Sequence, residues 1–274
     1  MRTQPARCGR RSTNTFPVLL PPRATWKAAL VGAEPSSAPA GQPADVLGHA
    51  ISERVVWTRS PLSSPAAPLL GAAQLLFAGA SPTVMSALDG LAAGAAPHNT
   101  DQAARTAVLI GLLDRAHRNS SALAEAWYEP AFTADSLDDA LATVPESWVA
   151  DVQSVTEVSA PLLASLPGPV TPGPTFTGSL AVGGADADLI IGSTVVEIKA
   201  TRTAELRLRD AQQVIGYALL DFDDTYALSH AAVLSARYGK LVVWDLEDLL
   251  DQAGGVSLAQ ARSHIADALN AVRR

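Results

Sequence analysis

Apolar residues recur at helical spacing through residues 45–166, then gather into short strand-like runs after two proline breaks. Over 45–59, Val46, Leu47, Ile51, Val55 and Val56 predict a helix, or a helix leading into a strand. The Ala-rich apolar stretch 69–91 is interrupted at Gly79 and at Ser81-Pro82. Thr100-Asp101 is suited to cap a helix running to about Trp127, with Val108, Leu109, Leu112 and Leu113 at helical spacing. Two more helices are expected over 133–166. Asp135-Ser136 caps the first, through Leu137, Leu141 and Val144. Pro145-Glu146-Ser147 opens the second, with Trp148, Val152, Val155 and Leu162 as candidate core positions.

Pro167-Gly168-Pro169 and Pro172-Gly173-Pro174 end the helical pattern. Residues 175–182 then read as a first core strand. Leu189-Ile190-Ile191 is a short apolar run, Gly192-Ser193 supplies a turn, and a β-branched run follows from Thr194 to Lys199. Within it Val195, Glu197 and Lys199 share one face, and Val196 and Ile198 the other. A helix is expected over 204–222. His230 to Arg237, the turn Tyr238-Gly239-Lys240 and Leu241 to Trp244 read as a hairpin completing the sheet. A helical segment starts over 245–250, and Ser257 caps a last amphipathic helix with Leu258, Ile265, Leu269 and Val272 on its apolar side. The expected class is α/β. A small mixed sheet flanked by helices occupies 167–274, preceded by a mainly helical region at 45–166 and a flexible tail at 1–44.

Composition narrows the choice of partners. With 48% hydrophobic and 17% charged residues among 274, a sizeable core is feasible. The net charge of −7 argues against a whole-protein basic footprint, so any nucleic-acid contact must come from a local patch. Residues 1–30 are the exception, with six basic residues and no acid; a solvated tail is the simpler reading and a DNA-contacting arm the other. Over 61–274 there are 12 basic and 24 acidic residues, which predicts weak nonspecific DNA affinity unless a partner supplies it. Cys8 is the lone cysteine, so neither a disulfide framework nor a cysteine metal site is available. No run approaches the roughly 18 apolar residues that span a bilayer, and 16–20 is too short and too soon broken by Pro21-Pro22 for a signal peptide. The expectation is a cytoplasmic protein with no membrane contact.

The candidate chemistry sits in the central hairpin. Its turn brings Asp188 beside Glu197 and Lys199, so two carboxylates and one ammonium converge. Paired acids repel, and a hard divalent cation such as Mg²⁺ or Mn²⁺ relieves that repulsion. Such an ion polarises a phosphoryl oxygen and acidifies a bound water, while a neighbouring lysine orients the water and offsets charge on phosphate. Asp186, two residues before Asp188, competes for the same role. A turn capped by these two acids beside a solvated Glu197–Lys199 face is the bland alternative. Lysine is otherwise scarce, at positions 27, 199 and 240 alone against 17 arginines.

Asp188, the nine-residue step to Glu197, and Glu197-Ile198-Lys199 resemble the PD-(D/E)XK nuclease motif, and Gln213-Val214-Ile215-Gly216-Tyr217 resembles the Q-x-x-x-Y motif of its RecB-like branch. The resemblance covers about a quarter of the chain, roughly residues 176–246. It implies a restriction-endonuclease-like core and metal-dependent cleavage of nucleic acid, with DNA the expected substrate and RNA not separated from it by the motif. It also implies Asp188, Glu197 and the Ile198 carbonyl as metal ligands, with Lys199 as the catalytic lysine. Gln213 and Tyr217, which share a helix face, would contact substrate or buttress the site. Arg207 and Arg209 near the start of that helix are candidates for phosphate contact, or simply solvated. The family commonly sets an acid on the helix before the first core strand. Glu157 is the first candidate and Asp151 the second, a solvent-facing role standing equally for each.

Repair, defence against foreign DNA and mobile-element processing all fit such an enzyme. The alternative is a nuclease fold that binds nucleic acid or a protein partner without cutting, or a helical interaction module with the α/β part as scaffold. His117 lacks a second ligand at matching spacing and reads as a solvated or hydrogen-bonded histidine before a ligand; Trp127-Tyr128 is an aromatic pair that more often closes a core at a helix end than stacks a base. No Walker A lysine, dinucleotide glycine fingerprint or Ser-His-Asp spacing is present.

Overall fold

The computed structural model describes residues 35–36, 38–39, 43–60, 80–92, 100–203 and 206–272. Most of the basic tail and the apolar stretch from residue 61 to 79 lie outside the described residues. Five strands make one mixed sheet in sequence order: β1 (Val170–Pro172), β2 (Leu189–Ile191), β3 (Thr194–Lys199), β4 (His230–Ser235) and β5 (Lys240–Asp245). Neighbouring strands run antiparallel except β3 and β4, which are parallel. A parallel pair needs a long crossover, supplied here by a helix, Leu208–Leu220.

The sheet is covered on both faces, which explains why its strands read as near-continuous apolar runs. One face carries Leu189, Ile191, Val196, Ile198, Ala232 and Leu234. It packs on helices α1 (Ala44–Trp57), α3 (Thr100–Arg118) and α6 (Glu146–Ala164), with α2 (Pro82–Ala92), α4 (Tyr128–Phe132) and α5 (Leu137–Ala142) behind. The other face carries Ile190, Val195, Ala231 and Val233. It packs on the crossover helix α7 (Leu208–Leu220), α8 (Leu246–Gly254) and α9 (Leu258–Val272). The helical region therefore shares one core with the sheet, and the boundary near residue 166 does not interrupt packing.

Three expectations from sequence need correction. Residues 175–182 are not a core strand. The first strand is Val170–Pro172, an edge position where proline costs no ladder hydrogen bond. Beyond an isolated bridge of Thr175 with Asp186, residues 179–182 form a short 3-10 turn. Ser179 builds that turn: its hydroxyl accepts from the Phe176 N–H at 2.9 Å and donates to the Ala185 carbonyl at 2.6 Å. Leu180 consequently stands 85% exposed. Second, α3 ends at Arg118 rather than near Trp127, because Asn119 turns the chain by accepting from the Ser121 N–H. Third, the crossover helix begins at Leu208, where Asp210 accepts the Arg207 N–H at 2.9 Å; residues 204–205 lie outside the described residues.

Candidate active site

Two hydrogen-bonded groups meet at the open end of the β2–β3 hairpin. On the α7 side, alternation along β3 turns Glu197 and Lys199 the same way, and Lys199 Nζ donates to Glu197 Oε1 at 2.6 Å. Lys199 also donates to Gln213 Oε1 at 2.8 Å, and Gln213 Nε2 donates to the Tyr217 hydroxyl at 2.6 Å. Gln213 and Tyr217 are one turn apart on α7, so a single helix face supplies both. Phe176 stacks on the Tyr217 ring at 5.8 Å and fixes its far side.

The second group centres on Asp188. The chain bends here immediately before β2, so the carboxylate does not simply follow the strand alternation. Asp188 Oδ2 accepts the Ile198 N–H at 2.6 Å, and Oδ1 accepts the Ser52 hydroxyl of α1 at 2.8 Å. Asp186 is exposed on the bridge to Thr175, so the nearer acid of the pair is Asp188.

The helix that reaches this acid is α1, not the one just before the strands. Glu157 is exposed on α6. Asp151 is buried, and both its oxygens take the Arg237 guanidinium at 2.7 Å, while Arg237 Nε donates to the Ala200 carbonyl at 2.8 Å. That pair ties α6 to the end of β3, one residue past Lys199, and neither α6 acid joins the cluster. His49, Ser52 and Glu53 instead line one side of α1 at i, i+3 and i+4. His49 Nε2 lies 3.5 Å from Glu53 Oε1 and Nδ1 lies 3.5 Å from Asp114 of α3. A cavity of about 300 Å³ is lined by His49, Ser52, Asp114, Arg118, Asp188 and Ile198, among others. The sequence signal for His49, Ser52 and Glu53 was the polar positions 49 and 52–54 interrupting a helix otherwise rich in buried Val, Leu and Ile.

The remaining candidates fall elsewhere. Arg207 and Arg209 are exposed at the start of α7; Arg207 donates to Thr203 at 3.1 Å, and Arg209 lies 3.9 Å from Asp210. Trp127 packs against Trp148 at 4.8 Å, and the buried Tyr128 hydroxyl donates to the Leu112 carbonyl, a core-closing arrangement.

Electrostatics in the cluster follow from burial. Glu197 is 6% exposed; burial, then the nearby Asp188, raises its pKa to about 8 against the opposing pull of Lys199. Glu53, 7% exposed, is likewise pushed to about 8 by burial first and then by Asp188 and Asp114. Asp188 is raised by burial too, opposed by its bonds from Ile198 and Ser52. His49 is lowered, again chiefly by burial, which favours the neutral ring.

The buried atoms His49 Nε2, Glu53 Oε2 and Asp114 Oδ1 have no hydrogen-bond partner. Unpartnered buried acceptors are costly, and all three belong to groups that donate lone pairs to cations. Carboxylate oxygens suit Mg²⁺ or Mn²⁺ by donor type, whereas an imidazole nitrogen is a donor for other metals. Among the described residues, however, no three His, Cys, Asp or Glu side chains stand in an arrangement that could hold an ion. As they stand, Asp188 is satisfied by Ser52 and Ile198, and Glu197 by Lys199. Among the described residues no helix is long and apolar enough to cross a membrane. Compared with known protein families, curated proteins and solved structures, the chain matches none.

Proposed function

We propose that this chain is a metal-dependent nuclease with a restriction-endonuclease-like core of the RecB-like PD-(D/E)XK type, and that it hydrolyses phosphodiester bonds of DNA. The observation that carries the reading is the unbroken polar path Glu197–Lys199–Gln213–Tyr217, alongside Asp188 at the same hairpin end. Residues 188–199 and 213–217 separately resemble the two family motifs, and a direct hydrogen bond runs between Lys199 of the first stretch and Gln213 of the second.

Asp188, Glu197 and the Ile198 carbonyl would hold Mg²⁺ or Mn²⁺. When bound, the ion supplies Lewis acidity to a phosphoryl oxygen and lowers the pKa of water. The chain's own part is positioning and charge. Glu197 and Gln213 grip the Lys199 ammonium from two sides, so its remaining proton points away from both. A held ammonium there orients the attacking water and offsets charge gathering on the phosphate. Tyr217 fixes the amide of Gln213, and so the angle at which Gln213 holds Lys199. Arg207 and Arg209, exposed on the same helix, would take backbone phosphates.

Lys199→Ala separates this reading from a fold that binds without cutting. Cleavage lost with DNA binding and folding intact is the expected result. Unchanged cleavage would remove Lys199 from the chemistry.

A further inference from the structure

We propose that Ser36, Ala38 and Pro39 belong to a strap that closes one side of the candidate site, so that a polymer as thick as nucleic acid enters only when the strap lifts. The inference rests on the reading of the hairpin end as the site. It concerns a segment ahead of α1, which neither sequence motif touches.

Among the described residues two hydrogen bonds hold the strap. The Ser36 N–H donates to the Arg237 carbonyl at 2.9 Å, and the Arg202 guanidinium donates to the Ala38 carbonyl at 3.1 Å. Pro39 then lines a cavity of about 460 Å³ together with Gly48 and His49 of α1 and Ile198 and Lys199 of β3. Gly48, His49 and Ile198 also line the cavity of about 300 Å³ at Asp188. The two spaces therefore adjoin, and the strap borders the approach to the acid–lysine end of the hairpin. With the strap in place, a cavity of this size suits a small molecule.

The floor under the strap is fixed. Arg237 is gripped by both oxygens of Asp151 and donates to the Ala200 carbonyl. The Tyr238 hydroxyl donates to the Arg202 carbonyl, so the two anchoring stretches also hold each other. The strap itself is the part that yields. Ser36, Ala38 and Pro39 carry small side chains, and none is a large apolar anchor. Segments held by few contacts open first, at a small fraction of the cost of global unfolding. Prolines at 35 and 39 stiffen the strap, which favours lifting as a unit. Pro39 stands five residues before Ala44, the first residue of α1, so a lifted strap stays within about 18 Å of the helix start. It can swing aside and return.

The test is thiol access in the full-length chain. Gly48→Cys, in a Cys8→Ser background, sets a thiol in the cavity that Pro39 lines, and an added Cβ at Gly48 meets nothing within 4 Å. Labelling is compared for methyl methanethiosulfonate and a maleimide bearing a polyethylene glycol chain. Both attack the same thiolate, so the ratio of their rates reports access rather than thiol acidity. Arg202→Ala and Ser36→Pro each remove one of the two hydrogen bonds, and each is expected to raise the bulky-to-small ratio roughly five-fold. Ser36→Ala keeps the N–H and is expected to leave the ratio as it was. A ratio that neither Arg202→Ala nor Ser36→Pro changes overturns the proposal, as does a Ser36→Ala that matches Ser36→Pro. A chain whose ratio moves with the strap but which cuts no DNA defeats the nuclease reading and leaves the strap standing. A DNA-cutting enzyme whose ratio ignores both variants does the reverse.

Discussion

Raising the pH of the ion-free protein from 6.5 to 8 is expected to weaken its fold, the reverse of simple acid denaturation. Glu53 and Glu197 are held at about 8 in the folded state against an ordinary value of 4.5. Between those values the folded chain keeps protons that the unfolded chain has released, so stability falls as pH rises. His49 works the other way: its depressed pKa adds stability as pH climbs towards 6.5 and is spent above that. The clean window is therefore pH 6.5–8. A pKa unit corresponds to about 1.4 kcal/mol, so this window gives about 2 kcal/mol per group and about 4 kcal/mol as an upper bound for both. Both residues are at least 93% buried, so solvent screening takes little from these figures. The assay is urea unfolding in EDTA at half-unit pH steps, with Glu53→Gln alongside. The midpoint is expected to fall across the window, and Glu53→Gln to remove about half of the fall. A midpoint that stays flat or rises from pH 6.5 to 8 refutes the assignment of these acids as buried, proton-holding groups.

Further outcomes follow from the same geometry. Arg237→Ala strands the buried Asp151 carboxylate and frees the Ala200 carbonyl, for an expected loss of about 3–5 kcal/mol in denaturant unfolding. If each arginine meets one phosphate as proposed, Arg207→Ala with Arg209→Ala is expected to weaken DNA binding about equally for all sequences and to lower the log–log salt slope by about two. A slope unchanged in fluorescence anisotropy would leave both arginines as solvated charges. Mg²⁺ is expected to raise the unfolding midpoint more at pH 8 than at pH 6, because protons compete for the same carboxylates; calorimetric scans at the two pH values measure this.

How much of the site could be read in advance depended on range. The hairpin declared itself because β-branched alternation and a Gly-Ser turn are local signals, and they set Glu197 beside Lys199 within three residues. Gln213 and Tyr217 were legible as one helix face for the same reason. The contact of Gln213 with Lys199 was reachable because the crossover brings α7 back over its own strand. His49, Ser52, Glu53 and Asp114 were not legible, since nothing local says that α1 lands against a strand well over a hundred residues later. That placement is decided by burial of Val46, Leu47, Ala50 and Ile51 in a core shared with Leu189 and Val196. Asp151 misled for a related reason: a buried acid and a catalytic acid look alike until Arg237 is seen to cover both oxygens. The strand expected at 175–182 failed because one serine hydroxyl closed the segment into a local turn, a choice that apolar patterning does not record.

The central claim is that the acid–lysine hairpin end hydrolyses DNA. Its most direct test incubates folded full-length protein with supercoiled, linear and single-stranded DNA in Mg²⁺ or Mn²⁺ and resolves the products on a gel. The account predicts metal-dependent products that disappear with EDTA and with Glu197→Gln in equally folded preparations. A folded wild type that binds DNA and leaves every substrate intact, or a Glu197→Gln variant that cuts as well as wild type, would contradict it.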